Sequence, residues 1–113
     1  MDIQFSRKLY YSDLTKGQIP SMKRKIKRWS PKINLFLVTL PIGSQGILEV
    51  YWYPELLQPF YRKLQKTVFV VGVAKSKEEA FLLVERIVRD VGVQDGTIPV
   101  CSFFEEGAIM TES

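Results

Sequence analysis

Apolar and polar positions along the chain repeat in two ways, which predict strands and helices in alternation. Four stretches carry the β-branched and aromatic residues that favour strands: residues 5–11, 33–42, 47–53 and 67–74. Residues 33–42 and 67–74 are apolar on both alternating faces, which is typical of a central strand covered from two sides. The short connection at 43–46 contains two glycines, so we expect the second and third stretches to form a β-hairpin.

Apolar residues at helical spacing predict a basic helix over residues 20–29 and another helix that begins after Ser76. The apolar stripe of the first helix consists of Ile19, Met22, Ile26 and Trp29. Ser76 followed three residues later by Glu79 is a capping box, which marks the start of the second helix. Residues 54–66 are ambiguous because Pro59 interrupts a helical spacing, and we expect a turn followed by a short helix from Pro59.

The predicted element order is β-α-β-β-(α)-β-α, in a single α+β domain of residues 1–113. This order favours a two-layer sandwich, ferredoxin-like or related, with a mainly antiparallel sheet and its helices on one face. Residues 98–104 are a candidate edge strand, since Pro99 suits an edge position. Residues 105–113 are expected to form a loose acidic tail.

Helices on one face would leave the other face of an apolar sheet uncovered, which predicts association with a second chain. Ile47, Tyr51 and Tyr53 share one face of the third strand. We expect that face to form the contact of a homodimer. Trp52 points to the opposite face and, like Trp29, is interpreted as a core residue.

The net charge of +4 is distributed unevenly along the 113 residues. Residues 1–32 hold nine Lys or Arg and two acids, whereas residues 77–113 hold three Lys or Arg and eight acids. Such a distribution indicates either a polyanionic partner or contact between the two ends of the chain.

The chain contains no histidine and one cysteine, Cys101, which narrows its possible chemistry. The commonest general base and metal ligand is missing. A structural zinc site and Ser-His-Asp or Cys-His catalysis are excluded within one chain, and we expect no metal and no cofactor. Cys101 lies in an apolar run and is interpreted as structural. A lone cysteine, with no secretory signal and no long apolar run, favours a soluble cytoplasmic protein.

The first predicted helix concentrates five positive charges in six positions. Contact with a polyanion is assigned to Lys23, Arg24, Lys25, Lys27 and Arg28, with Lys16 and Lys32 extending the patch. Like charges at i, i+4 cost a few tenths of a kcal/mol per pair. Burial of the apolar stripe offsets this, at roughly 1.5–3 kcal/mol per large side chain. The cluster is therefore compatible with a solvated face, with contact to the acidic end of the chain, or with phosphate contacts.

A second candidate anion site consists of Lys75, Ser76 and Lys77, where a strand runs into a helix. The N-terminus of a helix favours anions. The segment lacks the glycines of a P-loop, and Glu78 and Glu79 would repel a phosphate. Helix capping explains Ser76 without a ligand.

These patterns favour a non-catalytic association module, either a homo-oligomer or a protein that binds another protein. A weak, non-specific nucleic-acid or polyanion binder acting through residues 20–29 is the alternative. A regulator that binds a small anion at residues 75–79 is the second alternative. We expect no membrane partner.

Overall fold

A computed structural model describes residues 1–12, 14–41 and 47–104 of the chain. Its strands are β1 (Asp2–Tyr11), β2 (Phe36–Thr39), β3 (Glu49–Trp52) and β4 (Thr67–Ala74). Its α-helices are α1 (Ile19–Lys27), α2 (Pro59–Arg62) and α3 (Lys77–Val91), and 3₁₀ turns occupy Lys16–Gln18 and Tyr53–Leu57. The protein is a small α+β domain built on one sheet.

The four strands form a mixed sheet in the order β1-β4-β2-β3. β1 runs parallel to β4, whereas β2 is antiparallel to both β4 and β3. The β-branched run of β4 suits its interior position. Because β1 and β4 are parallel, their carboxyl ends meet at one edge of the sheet. β2 begins at the same edge, since Phe36 pairs with Ala74.

Side chains of β4 alternate between two separate cores, one on each face of the sheet. Val70 packs in a first core with Met22 and Ile26 of α1. Its neighbour Val71 packs in a second core with Leu83 of α3. Successive side chains of a strand point to opposite faces, so α1 and α3 lie on opposite sides of the sheet. The prediction that the helices share one face is wrong, and the ferredoxin-like sandwich that depended on it is not confirmed.

Both faces of the sheet therefore carry packed elements of the same chain. α1, the turn Tyr53–Leu57 and α2 cover one face, while α3 and residues 100–104 cover the other. The predicted homodimer depended on an uncovered face and loses that premise. Association with a second chain itself stays a prediction.

A tight turn follows α3. Gln94 and Thr97 exchange two backbone hydrogen bonds, of 2.7 and 2.9 Å. Between them, Asp95 and Gly96 both adopt positive φ, of 51° and 76°. This is the geometry of a two-residue hairpin turn, for which an Asp-Gly pair is a strong sequence signal.

Residues 98–104 do not form the predicted edge strand. Residues 100–104 are helical, and Pro99 stands directly before them, where proline is tolerated. The spacing of Val100 and Phe104 places both on one side of a helical turn, and both are buried in the second core. Packing over the sheet therefore decides the conformation of this segment.

The ambiguous segment 54–66 contains a turn and a short helix, as predicted. Pro59 begins α2 directly after the turn Tyr53–Leu57, so it starts a helix in this chain. The predicted connection at 43–46 and the predicted tail at 105–113 lie outside the described residues. Within the described ranges, no helix combines the length and the apolar character that a membrane span requires.

Candidate anion-binding cleft

A surface cleft of about 590 Å³ opens at the sheet edge where β1 and β4 end and β2 begins. It is lined by the start of α1, including Gln18 and Ser21, and by residues 32–35, which lead into β2. Lys75, the first residue after β4, also lines it. Ligands of open α/β sheets commonly bind beyond the carboxyl ends of the strands, which is where this cleft lies.

Three lysines from three separate segments line the cleft. Lys25 belongs to α1, Lys32 follows that helix, and Lys75 follows β4. Among the described residues, none of the three has an ion-pair partner, and no acidic residue lines the cleft. Within the described part of the chain, no ion pair compensates their positive charge, which makes the cleft attractive to an anion.

Two amide side chains supply hydrogen-bond donors at the cleft. Oε1 of Gln18 accepts from the backbone N–H of Thr15 at 2.9 Å, and Oδ1 of Asn34 accepts from Nε1 of Trp52 at 2.9 Å. Backbone and indole N–H groups can only donate, so each amide must direct its oxygen to that partner. The NH₂ group of each amide has no acceptor among the described residues and is available as a donor.

The floor of the cleft is apolar and belongs to the first core. Met22 and Leu35 are buried, while Leu14 and Ile33 are half-buried. All four pack in or against the core that α1 forms with the sheet. The polar groups of the cleft therefore lie above side chains that are packed in or against the first core.

Of the five residues assigned to the predicted polyanion patch, only Lys25 lines the cleft, together with Lys32 from the extension of that patch. Its other members, Lys23, Arg24, Lys27 and Arg28, do not line the cleft. Nζ of Lys23 stands 5.6 Å from the centre of the Phe5 ring. α3 packs on the opposite side of the sheet from α1, and its Glu79 accepts a hydrogen bond of 2.6 Å from Ser12, just after β1.

The predicted anion site at Lys75, Ser76 and Lys77 is divided by the fold. Oγ of Ser76 accepts from the backbone N–H of Glu79 at 3.2 Å, which makes it the cap of α3. Nζ of Lys77 stands 5.9 Å from the centre of the Phe81 ring. Of the three, only Lys75 lines the cleft.

Of the predicted interface residues, Tyr53 belongs to the core. It is fully buried, and its hydroxyl donates to the backbone oxygen of Ser30 at 2.9 Å. Burial raises the pKa of Tyr53. Tyr51 is half-buried, and burial together with the nearby Glu49 raises its pKa to about 12. Ile47 is exposed, so of the three it offers a second chain the most accessible side chain.

The other face of β3, predicted to lie in the core, is partly open to solvent. Trp52 is 47% exposed, and Phe81 of α3 is 49% exposed. They flank a second groove of about 420 Å³, which Leu48 and Val50 also line. The assignment of Trp52 to the core is wrong.

Sequence reasoning missed the two amides, Gln18 and Asn34, and divided the three cleft lysines between different sites. The position of Gln18 three residues after Thr15 is the spacing of a capping box, which was an available signal. Asn34 has no local signal, because its partner Trp52 is 18 positions away.

Within the described part of the chain, no group of three or more His, Cys, Asp or Glu is placed to hold a metal ion. Cys101, interpreted as structural, is a free and exposed thiol. The chain matches no protein-family model, no curated protein and no solved structure.

Proposed function

We propose that the chain is a non-catalytic binding domain whose ligand carries an oxyanion, held in the cleft by Lys25, Lys32 and Lys75. The observation that supports this is the convergence of three lysines from separate segments, with no acidic residue among the described residues of the lining. Like charges that are brought together repel one another. An anion between them would reverse that repulsion and stabilise the folded chain.

The proposal is limited to binding because the described lining of the cleft shows no arrangement of a nucleophile with a general base beside it. The described residues of its lining include no carboxylate, thiol or imidazole. Ser21 contributes a hydroxyl, which is a weak nucleophile without a base beside it. The cytoplasm remains the proposed location, on the grounds of the sequence alone.

The test removes the cleft charges one at a time, as Lys25→Met, Lys32→Met and Lys75→Met. Methionine keeps the apolar stem and removes the ammonium group. Calorimetric titration of the full chain with inorganic phosphate and a nucleoside monophosphate measures binding. We expect each variant to weaken binding by about tenfold, since a hydrogen bond to a charged group contributes roughly 1.5–3 kcal/mol.

Lys27→Met is the matched control, because Lys27 is an exposed α1 lysine that does not line the cleft. It removes the same charge from the same helix as Lys25→Met. Equal losses in both variants would show that net charge alone governs binding, and would contradict the proposed site. Absence of binding by the unsubstituted chain would contradict it outright.

A nucleic-acid or polyanion binder is the second candidate, and the separation of charge between the two sides of the sheet favours it. Residues 14–34 and 53–66, on the side of α1, hold ten Lys or Arg and one acid. Residues 77–104, on the side of α3, hold three Lys or Arg and five acids. A face with this excess of positive charge suits the phosphates of a nucleic acid.

A labelled oligonucleotide titrated over a salt series tests this candidate. Five phosphate contacts would give a slope of log K against log[salt] of about −4 to −5 on duplex DNA. We expect the charge reversals Lys23→Glu and Lys27→Glu to abolish such binding while the fold survives. If Lys75→Met weakens it more than either reversal does, the cleft, and not the helix face, is the binding site.

Association with a second chain, as a homodimer or with another protein, also stays a proposal. The groove between Trp52 and Phe81 is the exposed apolar surface that supports it. We expect Trp52→Glu to dissociate any dimer formed there. A monomer at high micromolar concentration, measured by sedimentation of the unsubstituted chain, would contradict the homodimer.

A further inference from the structure

We infer that the ligand of the cleft is a small organic phosphate, a phosphomonoester attached to an apolar or aromatic group. This inference rests on the proposed function and specifies it. It follows from three properties of the cleft: its polar groups donate, its positive charge is high, and its floor is apolar.

The polar side chains of the cleft offer donors almost exclusively. The ammonium groups of Lys25, Lys32 and Lys75 can only donate. The amide oxygens of Gln18 and Asn34 already accept internal hydrogen bonds of 2.9 Å each. Each amide can therefore offer the ligand only its NH₂ group, which is a donor. A ligand that accepts many hydrogen bonds is complementary to this set of groups.

Among common oxyanions, a phosphomonoester matches this set better than a carboxylate does. Its three terminal oxygens are strong acceptors, and it carries a charge of about −1.5 to −2 at neutral pH. A carboxylate carries one charge on two oxygens. A phosphate therefore offers the three ammonium groups and the two amide donors more acceptor oxygens than a carboxylate does. It also carries more negative charge to compensate the lysines.

The apolar floor accounts for the organic part of the ligand. Inorganic phosphate alone would leave the half-buried side chains of Leu14 and Ile33 in contact with water. A cleft of about 590 Å³ lies within the range of roughly 300–1,000 Å³ that is usual for small-molecule sites. Burial of an apolar group on this floor would add affinity that the inorganic ion cannot supply.

The first test compares four probes by calorimetric titration of the full chain, at a pH well above the second pKa of a phosphomonoester, which is about 6, so that inorganic phosphate is a dianion as well. The probes are phenyl phosphate, inorganic phosphate, benzoate and phenol. We expect phenyl phosphate to bind at least about tenfold more tightly than inorganic phosphate or benzoate, and phenol to bind weakest. Equal binding of phenyl phosphate and benzoate would overturn the inference and leave the proposed function standing. No binding of any anion would overturn both.

The second test converts each amide donor to an acceptor without removing its internal hydrogen bond. Asn34→Asp still accepts from Trp52, and Gln18→Glu still accepts from Thr15, but each presents an anionic oxygen to the ligand. We expect each to weaken phenyl phosphate binding by roughly ten- to a hundredfold. Gln65→Glu is the matched control, because this exposed glutamine lies before the opposite end of β4.

Equal effects of the three substitutions would overturn the role given to the two amides. Near-ultraviolet circular dichroism of each variant separates a lost donor from a lost fold, and either amide variant alone suffices for the test. An oligonucleotide that displaces phenyl phosphate at equal phosphate concentration would assign the site to a polyanion and overturn the inference of a small ligand.

Discussion

Thr39 is a buried residue of β2 whose hydroxyl has no hydrogen-bond partner among the described residues. A buried hydroxyl without a partner costs roughly 1–3 kcal/mol. Valine has the same shape without that group, so we expect Thr39→Val to raise the free energy of unfolding by about 1 kcal/mol, measured in urea. Thr67→Val, at an exposed position of β4, is the control and should change stability little. A loss of stability in Thr39→Val would show that the hydroxyl makes a favourable interaction.

Tyr10 titrates differently in the folded and unfolded chain, because burial and a 2.6 Å hydrogen bond to Asp90 raise its pKa from 10.0 to about 12. On raising the pH through 10, the unfolded chain releases this proton first. Stability from this group is therefore complete below pH 10 and is lost as the pH rises towards 12.

We expect Tyr10→Phe to flatten the loss of stability over that alkaline window, measured by urea unfolding at successive pH values. Every other ionisable group is the same in both chains. Tyr11→Phe is the matched control, because Tyr11 packs against the other core, away from Asp90. An unchanged slope in Tyr10→Phe would contradict the raised pKa.

Trp52 and Tyr53 show which properties of a residue the sequence could predict. Strand alternation assigns them correctly to opposite faces. Which of the two faces is covered depends on where α1, α2 and α3 pack, and no local pattern contains that information. The result is an exposed Trp52 and a fully buried Tyr53, the reverse of the interpretation drawn from the pattern.

At the scale of elements, β4 contains an irregularity where it pairs with β2. Val38 pairs with Gly72 and Thr39 pairs with Val70, so Val71 is left as an extra residue. This is the arrangement of a β-bulge, and an isolated glycine within a strand is a sequence signal for such a site.

We expect Gly72→Ala to destabilise the fold by about 1–3 kcal/mol, the usual range for overpacking. A Cβ at this position would lie 3.1 Å from Cβ of Val38, which is tighter than an ordinary contact, so β2 would have to shift by a few tenths of an ångström. Its distance of 3.5 Å from Cδ1 of Leu83 is an ordinary van der Waals contact. Thermal or urea unfolding measures the effect. Gly17→Ala is the control, since a Cβ there would meet nothing within 4 Å. Equal stability of the two variants would show that the sheet absorbs the extra carbon without cost.

Two helical elements show how far local patterns predict structure. Of the stripe predicted from spacing, Ile19, Met22 and Ile26 are buried in α1, whereas Trp29 lies beyond the end of that helix and is half-buried. The helical conformation of residues 100–104 could not be predicted from spacing, because a short and largely apolar run fits a strand or a helix equally well. Burial of Val100 and Phe104 against the second core selects the helical turn.

For the whole molecule, the excess of positive charge on the side of α1 predicts a dependence of stability on salt. Repulsion within that layer is screened as ionic strength rises towards 0.15 M, where the Debye length is about 8 Å. We expect the melting temperature to rise by a few degrees in sodium chloride, equivalent to roughly 0.5–1 kcal/mol. Lys27→Glu should reduce the effect, whereas Glu85→Gln, on α3, should not. A melting temperature that falls with added chloride would contradict the prediction.

The candidate cleft is also a property of the whole molecule. The sequence predicts the basic character of residues 20–29, but Lys25, Lys32 and Lys75 come together only because β2 enters the sheet beside the end of β4. That neighbourhood depends on strand order, which hydropathy does not specify. The positive charge of each lysine could be predicted from the sequence, but the position of all three in one cleft could not.

Trp52 connects the cleft with the groove beside α3, because its indole donates a hydrogen bond to Asn34. Its nitrogen reaches a residue of the cleft, while its ring lines the groove beside α3. Tryptophan emission responds to the polarity and hydrogen bonding of its surroundings, so the chain carries an intrinsic optical reporter. A ligand that binds in the cleft or in the groove would therefore change the fluorescence emission of Trp52, and no attached dye would be needed to detect it.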